Sequence, residues 1–134
     1  MTVSRPDTAT SNPLAKFLPG SEDLDVVTAA DGFTEITADR SRVIEVLRAL
    51  RDRPELDCNL LLDVCGVDYP ERDQRFEVVY HLTSLQKGHR VRVRVPVDED
   101  DPRVPTAYGI WKAADWFERE AWDLMGIRFD GHPN

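Results

Sequence analysis

Two cysteines and three histidines carry the strongest metal-binding or nucleophilic chemistry in this chain. Cys58 and Cys65 would point to opposite faces if they flanked one strand. Neither forms a C-x-x-C pair, or a Cys/His pair at zinc spacing. The histidines, His81, His89 and His132, have no serine or cysteine in a nucleophile motif such as G-x-S-x-G. Local spacing therefore predicts buried free thiols, and no metal centre, iron–sulfur cluster or catalytic triad.

Carboxylates near the C-terminal end of the chain raise the question of acid–base catalysis. Glu120 and Asp123 are neighbours on a helix, whereas Glu118 points away from Glu120. General acid–base chemistry needs groups that converge on one pocket, which a single helix seldom supplies. Phosphate-binding glycine loops are also absent from the sequence. We therefore predict no catalytic and no cofactor-binding residue, with a hydrolase using Glu120 and His132 as a minor alternative.

Alternating arginines form a second charged feature. Arg90, Arg92 and Arg94 share one face of a strand, because alternate strand residues point the same way. Two interpretations remain open for them. They form either a solvated strand face or a docking strip for an acidic partner surface.

The segment 113–125 has the periodicity of an amphipathic helix, and Gly126 ends it. Glu120 falls within the apolar arc, where a carboxylate must be hydrogen-bonded. Trp122 falls on the opposite, charged side, and either another loop of the chain or a partner protein would cover it. The apolar arc consists of Ala113, Trp116, Phe117, Ala121, Leu124 and Met125.

Hydrophobic alternation and turn residues predict the elements that position these groups. A first helix lies between Asp39 and Pro54, and the second is segment 113–125. The fold class is α+β, in the order ββαβββα, with a mostly antiparallel sheet of about four to five strands packed by two main helices. The predicted strands cover 26–28, 33–37, 59–67, 76–82 and 90–97, with a short one at 127–129.

Composition narrows the class of protein further. The 134 residues fit one domain, and 17 Lys+Arg against 25 Asp+Glu give a net charge of −8, which argues against nucleic acid as a partner. Residues 1–22 are rich in Ser, Thr, Pro and Asn, and are predicted to form a flexible leader before a domain at 23–134. The leader has no apolar region typical of a secretory signal, so a cytoplasmic protein is expected.

Residues 116–133 read W-F-E-R-E-A-W-D-L-M-G-I-R-F-D-G-H-P, which resembles the signature of the C-subunit family of NADH-quinone oxidoreductase, respiratory complex I. V-C-G-V-D-Y at 64–69, F-E-V-V-Y-H-L at 76–82 and the pair Val104-Pro105 match in order, so the resemblance covers about 24–134. Thr106 and Asp115 stand where members often have Ser and Asn. Members generally continue past Gly-His-Pro, whereas the last residue of this sequence is Asn134. We therefore expect the family's C-terminal tail to be absent here.

The resemblance implies a structural core subunit of the hydrophilic arm of a proton-translocating NADH:quinone oxidoreductase. Such a subunit docks onto a partner resembling a hydrogenase large subunit. It carries no cofactor, since FMN, iron–sulfur clusters and quinone belong to partner subunits, and is not catalytic alone. It would lie peripherally on the cytoplasmic side of the inner (cell) membrane, reaching the membrane only through the complex.

The same domain in a membrane-bound hydrogenase or other-donor dehydrogenase complex is the alternative. The resemblance assigns the helix-to-tail corner and the partner contact to the signature segment. The positions concerned are Glu118, Arg119, Glu120, Trp122, Asp123, Gly126, Gly131, His132 and Pro133.

Overall fold

The computed structural model describes residues 10–133 and contains a six-stranded sheet. Its strands are β1 (Thr10–Ser11), β2 (Asp25–Thr28), β3 (Thr34–Thr37), β4 (Leu60–Asp68), β5 (Phe76–Thr83) and β6 (Arg90–Val97). They lie side by side in the order β1-β2-β3-β6-β5-β4. Only the β3–β6 pair is parallel among the described strands of this sheet. The prediction of a mostly antiparallel sheet is confirmed.

Two helices and a small second sheet complete the architecture. Helix α1 covers Val43–Asp52 and α2 covers Ala114–Met125. Strand β7 (Arg103–Pro105) pairs in parallel with β8 (Arg128–Asp130). The α+β class and the ββαβββα order are therefore confirmed, with β1 and β7 as strands that the pattern does not reveal.

The main core lies between the sheet and α1. Alternation along β6 directs its valines to this core, where Val91, Val93 and Val95 are fully buried. Helix α1 buries Val43, Val46, Leu47 and Leu50 at helical spacing. Burying each such side chain stabilises the fold by roughly 1.5–3 kcal/mol.

Helix α2 packs closely against β4 at Gly66. A Cβ added to Gly66 would lie 2.5 Å from Sδ of Met125 and 2.8 Å from Cδ1 of Ile127. The buried face of α2 consists of Ala114, Glu118 and Ala121. The predicted apolar arc is correct for Ala121, Phe117 and Met125, which are buried or packed against the core. It is wrong for Trp116 and Leu124, which are 68% and 78% exposed.

The predicted leader, residues 1–22, lies partly outside the described residues. From residue 10 onward this stretch includes β1 and a 3₁₀ helix, Pro13–Phe17, and Leu18 is buried. The amide of Asn12 donates to the hydroxyls of Thr28 and Thr34 at 2.8 and 2.9 Å. Regular structure thus begins before residue 23 in the part of the chain that the structure describes.

Neither α1 nor α2 has the length and apolar content needed to cross a membrane, and the same holds for every other helix within residues 10–133.

Candidate functional site

The signature segment forms a corner made by α2, β8 and the turn that follows β8. Gly126 ends α2 in the left-handed conformation, with φ of 73°, and its N–H donates to the carbonyl of Trp122 at 2.8 Å. The chain then enters β8 and turns again at Gly131, where φ is 87°. Both turns need a positive φ, which glycine adopts without steric cost.

Glu118 is the buried carboxylate of this corner, with 1% of its surface exposed. One of its oxygens accepts the Thr106 hydroxyl at 2.5 Å, and the other accepts the N–H of Ala107 at 2.8 Å. The N–H of Thr106 donates in turn to the carbonyl of Asp130 at 2.8 Å. Glu118 therefore joins α2 to the loop after β7, and this loop is itself joined to β8.

Burial raises the pKa of Glu118, and the hydrogen bonds from Thr106 and from the Ala107 N–H oppose this rise. The charge of His132 also acts to lower this pKa. Desolvation dominates the balance, so Glu118 binds a proton more readily than an exposed glutamate does.

His132 attaches the end of the corner to the first turn of α2. Its Nε2 lies 2.9 Å from a carboxylate oxygen of Asp115, and 10% of its side chain is exposed. Its backbone N–H donates to the carbonyl of Phe129 at 3.1 Å. The contact fixes the Gly131–Pro133 turn against α2.

An open hollow of about 290 Å³ lies on the outer side of this corner. Trp122 is 51% exposed there, and the Arg128 guanidinium lies 5.9 Å from the centre of its ring. Such a surface combines a tryptophan ring with arginine side chains, two residue types that are enriched at protein interfaces. Its lining includes Arg119, Trp122, Arg128, Asp130, Gly131 and His132.

The roles predicted for Glu118 and Glu120 are reversed in the structure. Glu120 is exposed and Glu118 is buried, so the prediction of a buried Glu120 is wrong. The hollow that His132 lines includes Glu118 but not Glu120. The structure therefore does not assemble the Glu120–His132 pair that a hydrolase would require.

The remaining signature residues lie where the corner meets solvent. Trp122 is not enclosed by another loop among the described residues, in contrast to one of the two interpretations of its position. The other exposed members of the set are Arg119, Asp123, Gly126, Gly131 and Pro133.

The arginine strip lies on the face of the sheet that is turned away from α1. Arg92 contacts Glu35 and Asp31, each at 2.7 Å. Arg94 contacts Glu77 at 2.6 Å and Glu35 at 3.2 Å. Glu35 and Glu77 are both buried.

Arg92 and Arg94 are thus paired with acidic residues of the same chain, an arrangement that neither the solvated-face nor the docking-strip interpretation included. Arg90 is the exposed member, and its guanidinium lies 4.8 Å from the ring centre of Phe33. Sequence reasoning missed Glu35 and Glu77 because their contacts depend on β3 and β5 flanking β6, which no local motif indicates.

Comparison with protein families gives a match over residues 36–134 to the family described as the respiratory-chain NADH dehydrogenase 30 Kd subunit. The C-subunit of the NADH-quinone oxidoreductase of Hyphomonas neptunium is 50% identical over 103 residues, or 77% of this chain and 50% of that protein. The protein of the same name from Maricaulis maris is 45% identical over 123 residues, or 90% of this chain and 61% of that protein. The chain spans about half the length of the curated relatives it matches.

Two solved structures share the fold. A trypsin-resistant fragment of Nqo5 superposes with a TM-score of 0.74 at 36% identity, covering 85% of this chain and 91% of the fragment. A chain of the membrane-bound sulfane sulfur reductase, an archaeal respiratory membrane complex, gives a TM-score of 0.69 at 27% identity. That match covers 81% of this chain and 63% of the other.

Proposed function

Since the chain belongs to the respiratory-chain NADH dehydrogenase 30 Kd subunit family, we propose that it is a structural core subunit of a proton-translocating NADH:quinone oxidoreductase. In this proposal it lies in the hydrophilic arm and is not catalytic by itself. The observation that carries the proposal is the signature segment, which folds into an exposed corner supported by buried Glu118. An exposed corner that is held in place from inside can serve as a contact surface for another subunit.

The proposal assigns FMN, the iron–sulfur clusters and the quinone site to partner subunits. The geometry of the cysteines supports this assignment, because Cys58 is buried in the core whereas Cys65 lies on the face of β4 turned away from it. Clusters of iron and sulfur are generally held by several cysteines that converge on one point.

The partner in this proposal is the subunit that resembles a hydrogenase large subunit, and the contact surface is the α2–β8 corner. Helix α2 exposes three large apolar side chains, Trp116, Trp122 and Leu124, and Trp122 lines the hollow of the corner. Tryptophan and arginine are enriched among residues that anchor protein interfaces, and Trp122 and Arg128 stand together here.

In this proposal the chain lies at the cytoplasmic side of the inner (cell) membrane, as a peripheral subunit. Contact with the membrane is indirect in this proposal, through the partner subunits.

A second candidate is the equivalent subunit of a membrane-bound hydrogenase or a dehydrogenase with another electron donor. The structural likeness to a chain of the sulfane sulfur reductase complex favours this candidate, because it shows the same fold in a respiratory complex of another name. Both candidates share the docking role and differ in the electron donor.

Affinity purification of the tagged chain from mild-detergent extracts of its own membranes tests the proposal. We expect flavin- and iron–sulfur-containing subunits to co-purify with NADH-dependent quinone reductase activity. A co-purifying complex that contains nickel, or that does not oxidise NADH, would favour the second candidate. Recovery of the chain alone from extracts that retain the activity would contradict both.

A further inference from the structure

Three donor groups of different chemistry meet on the face of β4 and β5 that is turned away from α1. They are the Asp63 carboxylate, the Cys65 thiol and the His81 imidazole, and their donor atoms lie within 4.8 Å of one another. Strand pairing explains the cluster, because Asp63 is directly opposite His81 in the β4–β5 register. Cys65 lies two positions beyond Asp63 and so shares its face.

The cluster can be reached from solvent. Cys65 and His81 line a hollow of about 280 Å³ on this face of the sheet. The Asp63 side chain is 47% exposed and that of His81 27% exposed. Cys65 is itself half-buried, in contrast to Cys58 and to the prediction that both thiols are buried.

Neighbouring groups already hold the imidazole in place. Its Nδ1 lies 2.6 Å from Oδ1 of Asp63, and Nε of Arg92 donates to its Nε2 at 3.4 Å. The Phe33 ring meets the imidazole edge-on, with ring centres 6.1 Å apart. Bound zinc would replace the Nδ1–Asp63 hydrogen bond with bonds from both groups to the ion, and the Arg92 contact with Nε2 would be given up.

Local charge also favours a cation at this place. Once the Cys65 thiol has lost its proton, it and the Asp63 carboxylate together supply two negative charges. Arg92, which contacts His81, is neutralised by Asp31 and Glu35, each at 2.7 Å. A bound divalent ion would therefore not face an unpaired positive charge from Arg92.

We propose that Asp63, Cys65 and His81 form a binding site for Zn²⁺. A thiolate, an imidazole nitrogen and a carboxylate oxygen are the three donor types that zinc accepts. Three protein ligands leave the fourth tetrahedral position for water from the hollow. The sequence does not reveal the site because its donors come together through pairing of two strands, and no motif spaces them.

Binding requires the loss of the Cys65 proton. Zinc binds the thiolate, so binding of the ion releases this proton to solvent.

Titration of the 134-residue chain with Co²⁺, a spectroscopic substitute for Zn²⁺, tests the proposal. We expect a thiolate-to-cobalt charge-transfer band that saturates at one ion per chain and disappears when Zn²⁺ is added. Cys65→Ser should abolish the band. His81→Gln should weaken binding by more than the ~10–100-fold that loss of an outer-shell partner costs. His89→Gln is the matched control, since His89 contacts the carbonyl of Glu55 away from the cluster, and it should leave the titration unchanged.

Absence of the band, or its persistence in Cys65→Ser, would overturn the proposal. A second measurement uses the unsubstituted chain, so it does not depend on the folding of a variant. Zn²⁺ should slow alkylation of Cys65 by iodoacetamide, followed by mass spectrometry of the peptide that contains it. An unchanged alkylation rate at saturating Zn²⁺ would equally overturn the site.

Discussion

Glu118 is a buried carboxylate whose two oxygens are both hydrogen-bonded, to Thr106 and to the Ala107 N–H. Removal of the Glu118 carboxylate leaves the Thr106 hydroxyl and the Ala107 N–H without this hydrogen-bond acceptor. Loss of a hydrogen-bond partner from a buried group lowers stability by about 1–3 kcal/mol. We therefore expect Glu118→Ala to lower the free energy of unfolding by about 1–3 kcal/mol, measured by urea denaturation. The matched control on the same helix is exposed Glu120, and Glu120→Ala should change stability by no more than about 0.5 kcal/mol. Equal effects of the two substitutions would contradict the assignment.

The pKa of Glu118 leads to a prediction about pH. Its folded-state pKa is raised above the ordinary value of 4.5, mainly by burial, so the folded chain holds this proton more strongly than the unfolded chain does. The stability from this group is complete below pH 4.5 and is lost as the pH rises through the folded-state pKa. The free energy of unfolding of the parent chain should therefore fall, relative to that of Glu118→Gln, over this interval. Denaturation of both chains across the interval measures the difference, and a constant difference would contradict the prediction.

Sequence reasoning located the signature residues but reversed Glu118 and Glu120. The predicted apolar arc included the bulky side chains of Trp116 and Leu124, which shifted it away from the buried side of α2. Both side chains are exposed in the structure. The helix instead buries two alanines and a carboxylate, and its Met125 packs against Gly66 of β4. Hydrophobicity alone cannot identify a buried carboxylate whose partners lie in the separate 106–107 loop.

At the scale of elements, strands β3, β6 and β5 are connected by buried ion pairs on one face of the sheet. Arg94 reaches Glu77 on β5 and Glu35 on β3, and both glutamates are buried. Removal of one partner from a buried pair costs about 3–5 kcal/mol, because the other charge is left without compensation. We expect Arg94→Met to destabilise the chain by about 3 kcal/mol, at the lower end because Arg72 also contacts Glu77.

A double-mutant cycle measures this coupling by chemical denaturation. Arg94→Met combined with Glu77→Met should cost less than the sum of the two single substitutions, since neither charge is then left alone. Arg90→Met is the control on the same strand, and loss of its contact with Phe33 should cost at most about 1 kcal/mol. Additive effects of Arg94 and Glu77 would show that the two side chains are not coupled.

The elements themselves were largely predictable from the sequence. The alternation in residues 90–97 identified β6 with its observed bounds, because a strand with one buried face has a strict period of two. The neighbours of each strand were less predictable. The parallel β3–β6 pair joins segments separated by α1, β4 and β5, and no local pattern reports such a pairing.

At the scale of the whole molecule, the two faces of the six-stranded sheet differ in chemical character. One face, with α1 and α2, holds the apolar core, while the other carries ion pairs and the Asp63–Cys65–His81 cluster. The corner formed by α2 and β8 stands at the edge of this arrangement. Its exposed tryptophan, Trp122, contributes little to the core. This side chain can therefore contact a partner subunit without being needed for the stability of the fold.

This separation gives a prediction about Trp122, which is 51% exposed. Trp122→Ala should leave the free energy of unfolding of the isolated chain within about 1 kcal/mol of the parent value, because little core volume is removed. The same substitution should reduce recovery of partner subunits in the affinity purification, since a central aromatic anchor contributes about 2 kcal/mol or more to an interface. Leu85→Ala is the matched control, because Leu85 is 75% exposed after β5 and lies outside the corner. Normal recovery of partner subunits with Trp122→Ala, or an equal reduction for both variants, would show that the docking surface is not at the α2–β8 corner.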